Sequence, residues 1–203
     1  MASRCTSFKI RTTQGIAGVG QDEVVKSALL IIDMINTFDF EGGRLLLAQT
    51  RRIISNVVRL KVRAAAKGVP VIYCNDNFGE WRSDLRALVN MCTEEGRPGR
   101  AIVGRIAPTP EDYFLLKPKH SAFYETALQS LLTQLEVDRL VLCGIAGDGC
   151  IHSTATDAHM REYQVAVVRD ATASQTSARN RTALLHLTNA RYASACATSR
   201  TSF

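Results

Sequence analysis

The stretch Val141-Leu142-Cys143-Gly144-Ile145-Ala146-Gly147-Asp148-Gly149-Cys150, continued by Ile151-His152-Ser153-Thr154-Ala155-Thr156-Asp157-Ala158, reads as a strand, a turn and a helix in one short run. Leu140 to Cys143 has no polar interruption, as a strand buried on both faces requires. Gly144 breaks the run, small residues make the turn, and a helix is expected to begin at Cys150. A thiol at a helix N-terminus faces unpaired backbone N–H groups and the positive end of the helix dipole. Its pKa is therefore expected to fall, making Cys150 a nucleophile at neutral pH. Cys74, Cys92, Cys143 and Cys196 read as small buried hydrophobes. Cys150 differs because its place lies beyond a strand's carboxyl end, where open α/β sheets bind ligands.

The same alternation extends outward in both directions. Ala28-Leu29-Leu30-Ile31-Ile32 is a second uninterrupted apolar run, and it ends in Asp33. Leu45 to Lys67 has apolar residues at helical spacing and closes at Gly68, and Val69 to Cys74 follows as a strand that tolerates Pro70 near its start. Asn75 to Pro110 is the least regular part, with a helix expected from Asp84 to Cys92 and then a loop rich in Gly, Pro and Arg. Tyr113 to Leu116 reads as a strand with Lys117 at its end, and Ser121 to Leu135 as a helix capped by Ser121. After the helix Cys150 to Tyr163 come a strand Val165 to Val168 before Asp170, a helix Ser174 to Ala190 and an edge strand near Tyr192 to Cys196. This pattern predicts an α/β, Rossmann-like three-layer fold, with a mostly parallel central sheet and helices on both faces.

Composition bounds the function classes. The 203 residues suit one domain, expected over 25–203, behind a flexible tail over 1–24 in which Arg4, Lys9 and Arg11 stand among serines and threonines. The net charge of +6 comes from basic residues interleaved with acids, which reads as a solvated surface and not as a specific nucleic-acid site. No apolar run approaches membrane-spanning length, so no membrane partner is expected. Six cysteines show no Cys-x-x-Cys pair and no secretory signal is visible, which points to the cytoplasm.

Asp33, Lys117 and Cys150 each stand at the carboxyl end of a predicted strand or in the turn after it. In a parallel sheet those ends share one edge, so the three can meet in one crevice. A carboxylate can take the thiol proton, an ammonium can hold the thiolate, and the turn's N–H groups can bind a developing oxyanion. The inert alternative has Asp33 holding a loop, Lys117 solvated and Cys150 merely packed. Of the histidines, only His120 is placed to reach the pocket rim, since His152 is offset from Cys150 on the same helix.

The residues Leu29 to Met34 with Phe38, Leu116 to Phe123, and Gly144 to Cys150 with Thr154-Ala155 and Asp157-Ala158 resemble the isochorismatase-like cysteine hydrolase family, in order and at family-like spacing from about Ala28 to Ala173. The resemblance implies a catalytic Asp33-Lys117-Cys150 triad. It also implies a cis peptide between Ile145 and Ala146 that turns the N–H groups of the Ile145, Ala146 and Gly149 turn toward an oxyanion. It further implies a homo-oligomer whose pockets lie near subunit contacts, and no cofactor. The activity expected is hydrolysis of a C–N bond in a small amide through a thioester. The alternatives are vinyl-ether cleavage of an isochorismate-like acid, which does not need the cysteine, and a non-catalytic binder that keeps the fold.

Two departures bear on substrate. Nicotinamidases of this superfamily hold a metal through an Asp-x-His pattern where this chain has Asn75-Asp76-Asn77, so no metal site is expected. Gly147 and Gly149 replace bulkier residues, either making room for a larger acyl group or easing the turn. Phe38, Asn77, Trp81 and His120 are the candidate contacts to a small-molecule substrate, Trp81 sharing with Phe78 and Arg82 a loop that should overhang the sheet edge.

Overall fold

The computed structural model describes residues 25–203; the expected tail over 1–24 lies outside the described residues. Six parallel strands form one sheet in the order β3-β2-β1-β4-β5-β6: β1 (Ser27–Ile32), β2 (Val71–Asp76), β3 (Tyr113–Lys117), β4 (Arg139–Ile145), β5 (Gln164–Ala173) and β6 (Ser194–Cys196). The chain builds outward from β1 through β2 to β3, then returns to the other side of β1 with β4. Strand order therefore reverses between β1 and β4, and the crevice outside their carboxyl ends is the place where such sheets hold ligands.

Alternate side chains of β1 and β4 enter two cores. Leu29, Ile31, Val141 and Cys143 pack with α1 (Gly43–Ala66), α2 (Leu85–Thr93) and α3 (Arg100–Ile106). Leu30, Ile32, Leu140 and Leu142 pack on the opposite face with α4 (Leu128–Gln134), α5 (His152–Met160) and α6 (Ser177–Asn189). Burial on both faces is why these strands are continuously apolar. α1 buries Leu46, Ile53, Val57, Leu60 and Ala64 on one stripe. It stops where Gly68 adopts φ 67° and the amides of Gly68 and Val69 close back on Ala65 and Ala64, a Schellman ending.

The expected fold class is present, but several expected elements differ in extent. The supposed loop after α2 contains α3, whose Ile102, Val103 and Ile106 are buried and whose last carbonyl accepts from the Tyr73 hydroxyl. The helix expected from Ser121 forms only from Leu128. Before it, the Ser121 hydroxyl donates to Asp157, and the Ala122 amide donates to Thr154 Oγ1 at 3.0 Å, so side chains across the fold hold this segment in turns. β5 continues through Asp170 to Ala173 with a register irregularity opposite Leu142 and Gly144, and Asp170 accepts from the amide and hydroxyl of Thr198 instead of ending the strand. α6 begins at Ser177 because Thr176 caps it by accepting from the Arg179 amide. Among the described residues no helix is long and apolar enough to cross a membrane.

Candidate active site

Asp33 leaves β1 in a left-handed conformation, φ 53°, with its amide still donating to Cys74 on β2 at 3.0 Å. Its Oδ1 accepts from the Asp76 amide at 2.7 Å, and its Oδ2 faces the Lys117 ammonium at 3.0 Å. Lys117, the last residue of β3, is wholly buried. Its Nζ also donates to Cys150 Sγ at 3.2 Å and to the Lys119 carbonyl at 3.2 Å, so three acceptors meet the three donors of one ammonium. The sheet thus brings an acid from β1, a cation from β3 and a thiol from the turn after β4 into contact.

Electrostatics follow from this packing. Burial works against the Lys117 charge, but the facing Asp33, with Cys150 and Asp76 adding to it, outweighs that cost and holds the pKa above the ordinary lysine value. Burial raises the Asp33 pKa, with Lys117 and the hydrogen bonds only partly opposing it. Burial and the nearby Asp33 push the Cys150 thiol up to about 12 against the pull of Lys117. The expected lowering by a helix N-terminus is therefore overturned: Cys150 lies within a π-helical turn, Gly147–Ile151, ahead of α5, and desolvation beside a carboxylate outweighs the backbone dipoles. Burial beside Asp33 thus favours the neutral thiol. Alkylation of Cys150 by a neutral thiol reagent, followed by mass spectrometry across pH, should accordingly show no ionisation step below the free-thiol value of about 8.5. An inflection between about pH 5 and 7 would contradict this assignment.

The turn before Cys150 contains a cis peptide between Ile145 and Ala146. Ala146 O accepts the amides of Gly149 at 3.0 Å and Ile151 at 3.1 Å, and Ser174 Oγ accepts that of Asp148 at 3.1 Å. Gly149 thus commits its amide within the turn. The two glycines play different parts. A Cβ on Gly147 would stand 2.1 Å from Asn180 Oδ1, so the absent side chain allows the turn to pack, while Gly149 has only ordinary contacts with Ala146 and His120. Gly144, at φ 115°, runs so close to β1 that a Cβ would stand 2.2 Å from the Ile32 carbonyl oxygen.

A cavity of about 460 Å³ opens over the sulfur, lined by Asp33, Asp76, His120, Ile145, Ala146 and Cys150 among others. Of the four expected substrate contacts, His120 is in the lining. Phe38 is buried in the core beneath. Asn77 spends its Oδ1 on the Gly79 amide at 2.9 Å, and Trp81 is 77% exposed and outside the lining. Phe78 of the same loop does reach the cavity, joined by Asp76, Phe40, Gln175 and Arg179, which were not anticipated. Asp76 reaches the cavity because β2 runs two residues past the end expected at Cys74. Arg179 arrives on α6, where it pairs with Asp148. His152 and His186 hydrogen-bond to each other at 2.9 Å, and His159 packs on Tyr192. Among the described residues no group of His, Cys, Asp or Glu is arranged to hold a metal ion.

Comparison with known proteins places this geometry in context. The chain is 45% identical to the uncharacterized isochorismatase family protein YaaI of Bacillus subtilis, over 82% of this chain and 91% of that protein. It is 32% identical to the ureidoacrylate amidohydrolase RutB of Yersinia enterocolitica, over 72% and 74% of the two chains. Among solved structures, N-carbamoylsarcosine amidase from Thermoplasma acidophilum superposes with a TM-score of 0.68 at 27% identity, covering 88% of this chain and all of that one. The model of the isochorismatase domain matches residues 27–200, from the first strand to the last helical turn, and the chain belongs to the isochorismatase family.

Proposed function

We propose that this member of a hydrolase family is a cysteine-dependent amidohydrolase that cleaves a C–N bond in a small carboxamide or ureido compound through a thioester. The observation that carries the reading is the buried ammonium of Lys117, 3.0 Å from Asp33 and 3.2 Å from Cys150 Sγ, both of which line a cavity. Asp33 takes the thiol proton as sulfur attacks the carbonyl carbon. The developing oxyanion is received by the amides of Ala146 and Cys150, a preorganised contact worth about 3 kcal/mol per donor. Collapse breaks the C–N bond, and the departing nitrogen takes the proton from Asp33. Water then gives a proton to Asp33 and attacks the thioester; the acid leaves and the sulfur recovers its proton. Lys117 stays charged throughout, orienting Asp33 and stabilising negative charge on sulfur. No cofactor enters these steps.

The activities named for RutB and for the Thermoplasma enzyme support a C–N substrate, one carrying a ureido and the other a carbamoyl group. The proposal includes a reducing, cytosolic setting, in which a catalytic thiol stays free, and a homo-oligomeric assembly. A panel of primary amides and N-carbamoyl acids, assayed for ammonia, tests the reading. At least one should release ammonia with formation of the matching acid. An enzyme that releases no ammonia but frees pyruvate from a vinyl ether would replace this reading with the alternative chemistry.

A further inference from the structure

We propose that Asp76 determines specificity by accepting a hydrogen bond from the N–H of the scissile group, so that the pocket selects amide or ureido compounds over esters of the same acid. The inference rests on the amidohydrolase reading and adds a residue and a substrate feature to it.

Asp76 ends β2, directly beside Lys117 in the parallel register of β2 and β3. Its amide holds Asp33 Oδ1 at 2.7 Å, which ties the end of β2 to the proposed base. Its own Oδ1 accepts from the Phe78 amide at 2.7 Å, fixing the carboxylate's orientation. Oδ2 is then left 3.7 Å from Lys117 Nζ, beyond hydrogen-bond range. The ammonium does not need it, because Asp33, Cys150 and the Lys119 carbonyl already take its three donors. Yet the side chain lines the cavity together with Cys150 and is 37% exposed.

An ionised carboxylate can only accept, so its complement on a ligand is a donor. Around the sulfur two carboxyl groups, Asp33 and Asp76, face the one ammonium of Lys117. An anionic reacting group is therefore disfavoured there. A neutral carboxamide or ureido group satisfies both conditions: its carbonyl carbon faces the sulfur and its N–H faces Asp76. When the C–N bond breaks, the nitrogen takes its proton from Asp33 while Asp76 retains only the hydrogen bond. An ester oxygen in the same place would set a lone pair against a carboxylate.

The test compares kcat/KM for the best primary amide of the panel with that for the methyl ester of the same acid, in the wild type, Asp76→Ala and Asp76→Asn. In Asp76→Ala the amide-to-ester ratio should fall about 10- to 100-fold, the loss expected for a hydrogen bond to a charged group. Asp76→Asn, which keeps an acceptor oxygen, should fall less, and it carries the test if the alanine variant does not fold. A ratio that stays at the wild-type value, whether both activities drop together or neither does, overturns the proposal and means that Asp76 acts through Lys117 or on the fold. A wild-type enzyme that hydrolyses the ester but no amide overturns the amidohydrolase reading itself, and this proposal with it.

Discussion

Cys150→Ala should lower kcat for amide hydrolysis by about 10,000-fold or more, with a much smaller change in KM. The variant removes the atom on which the proposed thioester forms but leaves the cavity walls and the turn amides in place. Substrate can still bind, and the route through a thioester is closed. Cys150→Ser should be nearly as poor, because a hydroxyl is less acidic than a thiol and the carboxylate beside it, Asp33, is a weak base. Ammonia release under saturating substrate gives kcat, and mass spectrometry of rapidly quenched wild-type protein should show the acyl adduct on the Cys150 peptide. Turnover of the amide at near wild-type rate in Cys150→Ala would end the thioester mechanism.

The second large effect is expected from Lys117→Met, which keeps length and apolar volume but removes the charge. Asp33 then remains buried without its ion partner. Breaking a buried pair in this way costs about 3–5 kcal/mol because the orphaned charge has lost its solvent and its counterion. Asp76, farther away and partly exposed, offers no positive charge in exchange. The sign of the pH dependence follows from Asp33. Burial already lifts its pKa above the unfolded value of 3.8, and loss of Lys117 removes the principal opposing charge. An acid with a raised folded-state pKa binds its proton more tightly in the folded chain, so stability falls as pH rises toward that pKa. The penalty of Lys117→Met should therefore be complete above the folded-state pKa of Asp33 and shrink as pH is lowered through it. Denaturant unfolding of wild type and variant across the acid range measures this directly. A difference that stays constant or grows on acidification would show that Asp33 is not the orphaned group. Activity should be lost at every pH, since neither the acid nor the sulfur is then held.

The order of strands and helices was legible in the chain because it depends on local facts. Ala28 to Ile32 and Leu140 to Cys143 are apolar without interruption, which only a strand covered on both faces tolerates, and Gly68 and Gly144 punctuate where backbone geometry demands it. Strand ends also marked Asp33, Lys117 and Cys150 as able to converge, while their roles came from family resemblance and not from spacing. Other features depended on neighbours distant in sequence. The segment from Ser121 to Thr126 stays out of helix because Thr154 and Asp157 bind it, and α3 is a helix because its Ile102, Val103 and Ile106 find a core to enter. Trp81 looked like a pocket wall and faces solvent, whereas β2 runs two residues past its expected end at Cys74 and carries Asp76 to the cavity. The state of the thiol shows the division most clearly: local reading of a helix start lowers its pKa, but burial beside Asp33 raises it. Desolvation and Coulomb energy depend on the three-dimensional surroundings of a charge, and those exist only after β1, β3 and β4 have been laid side by side.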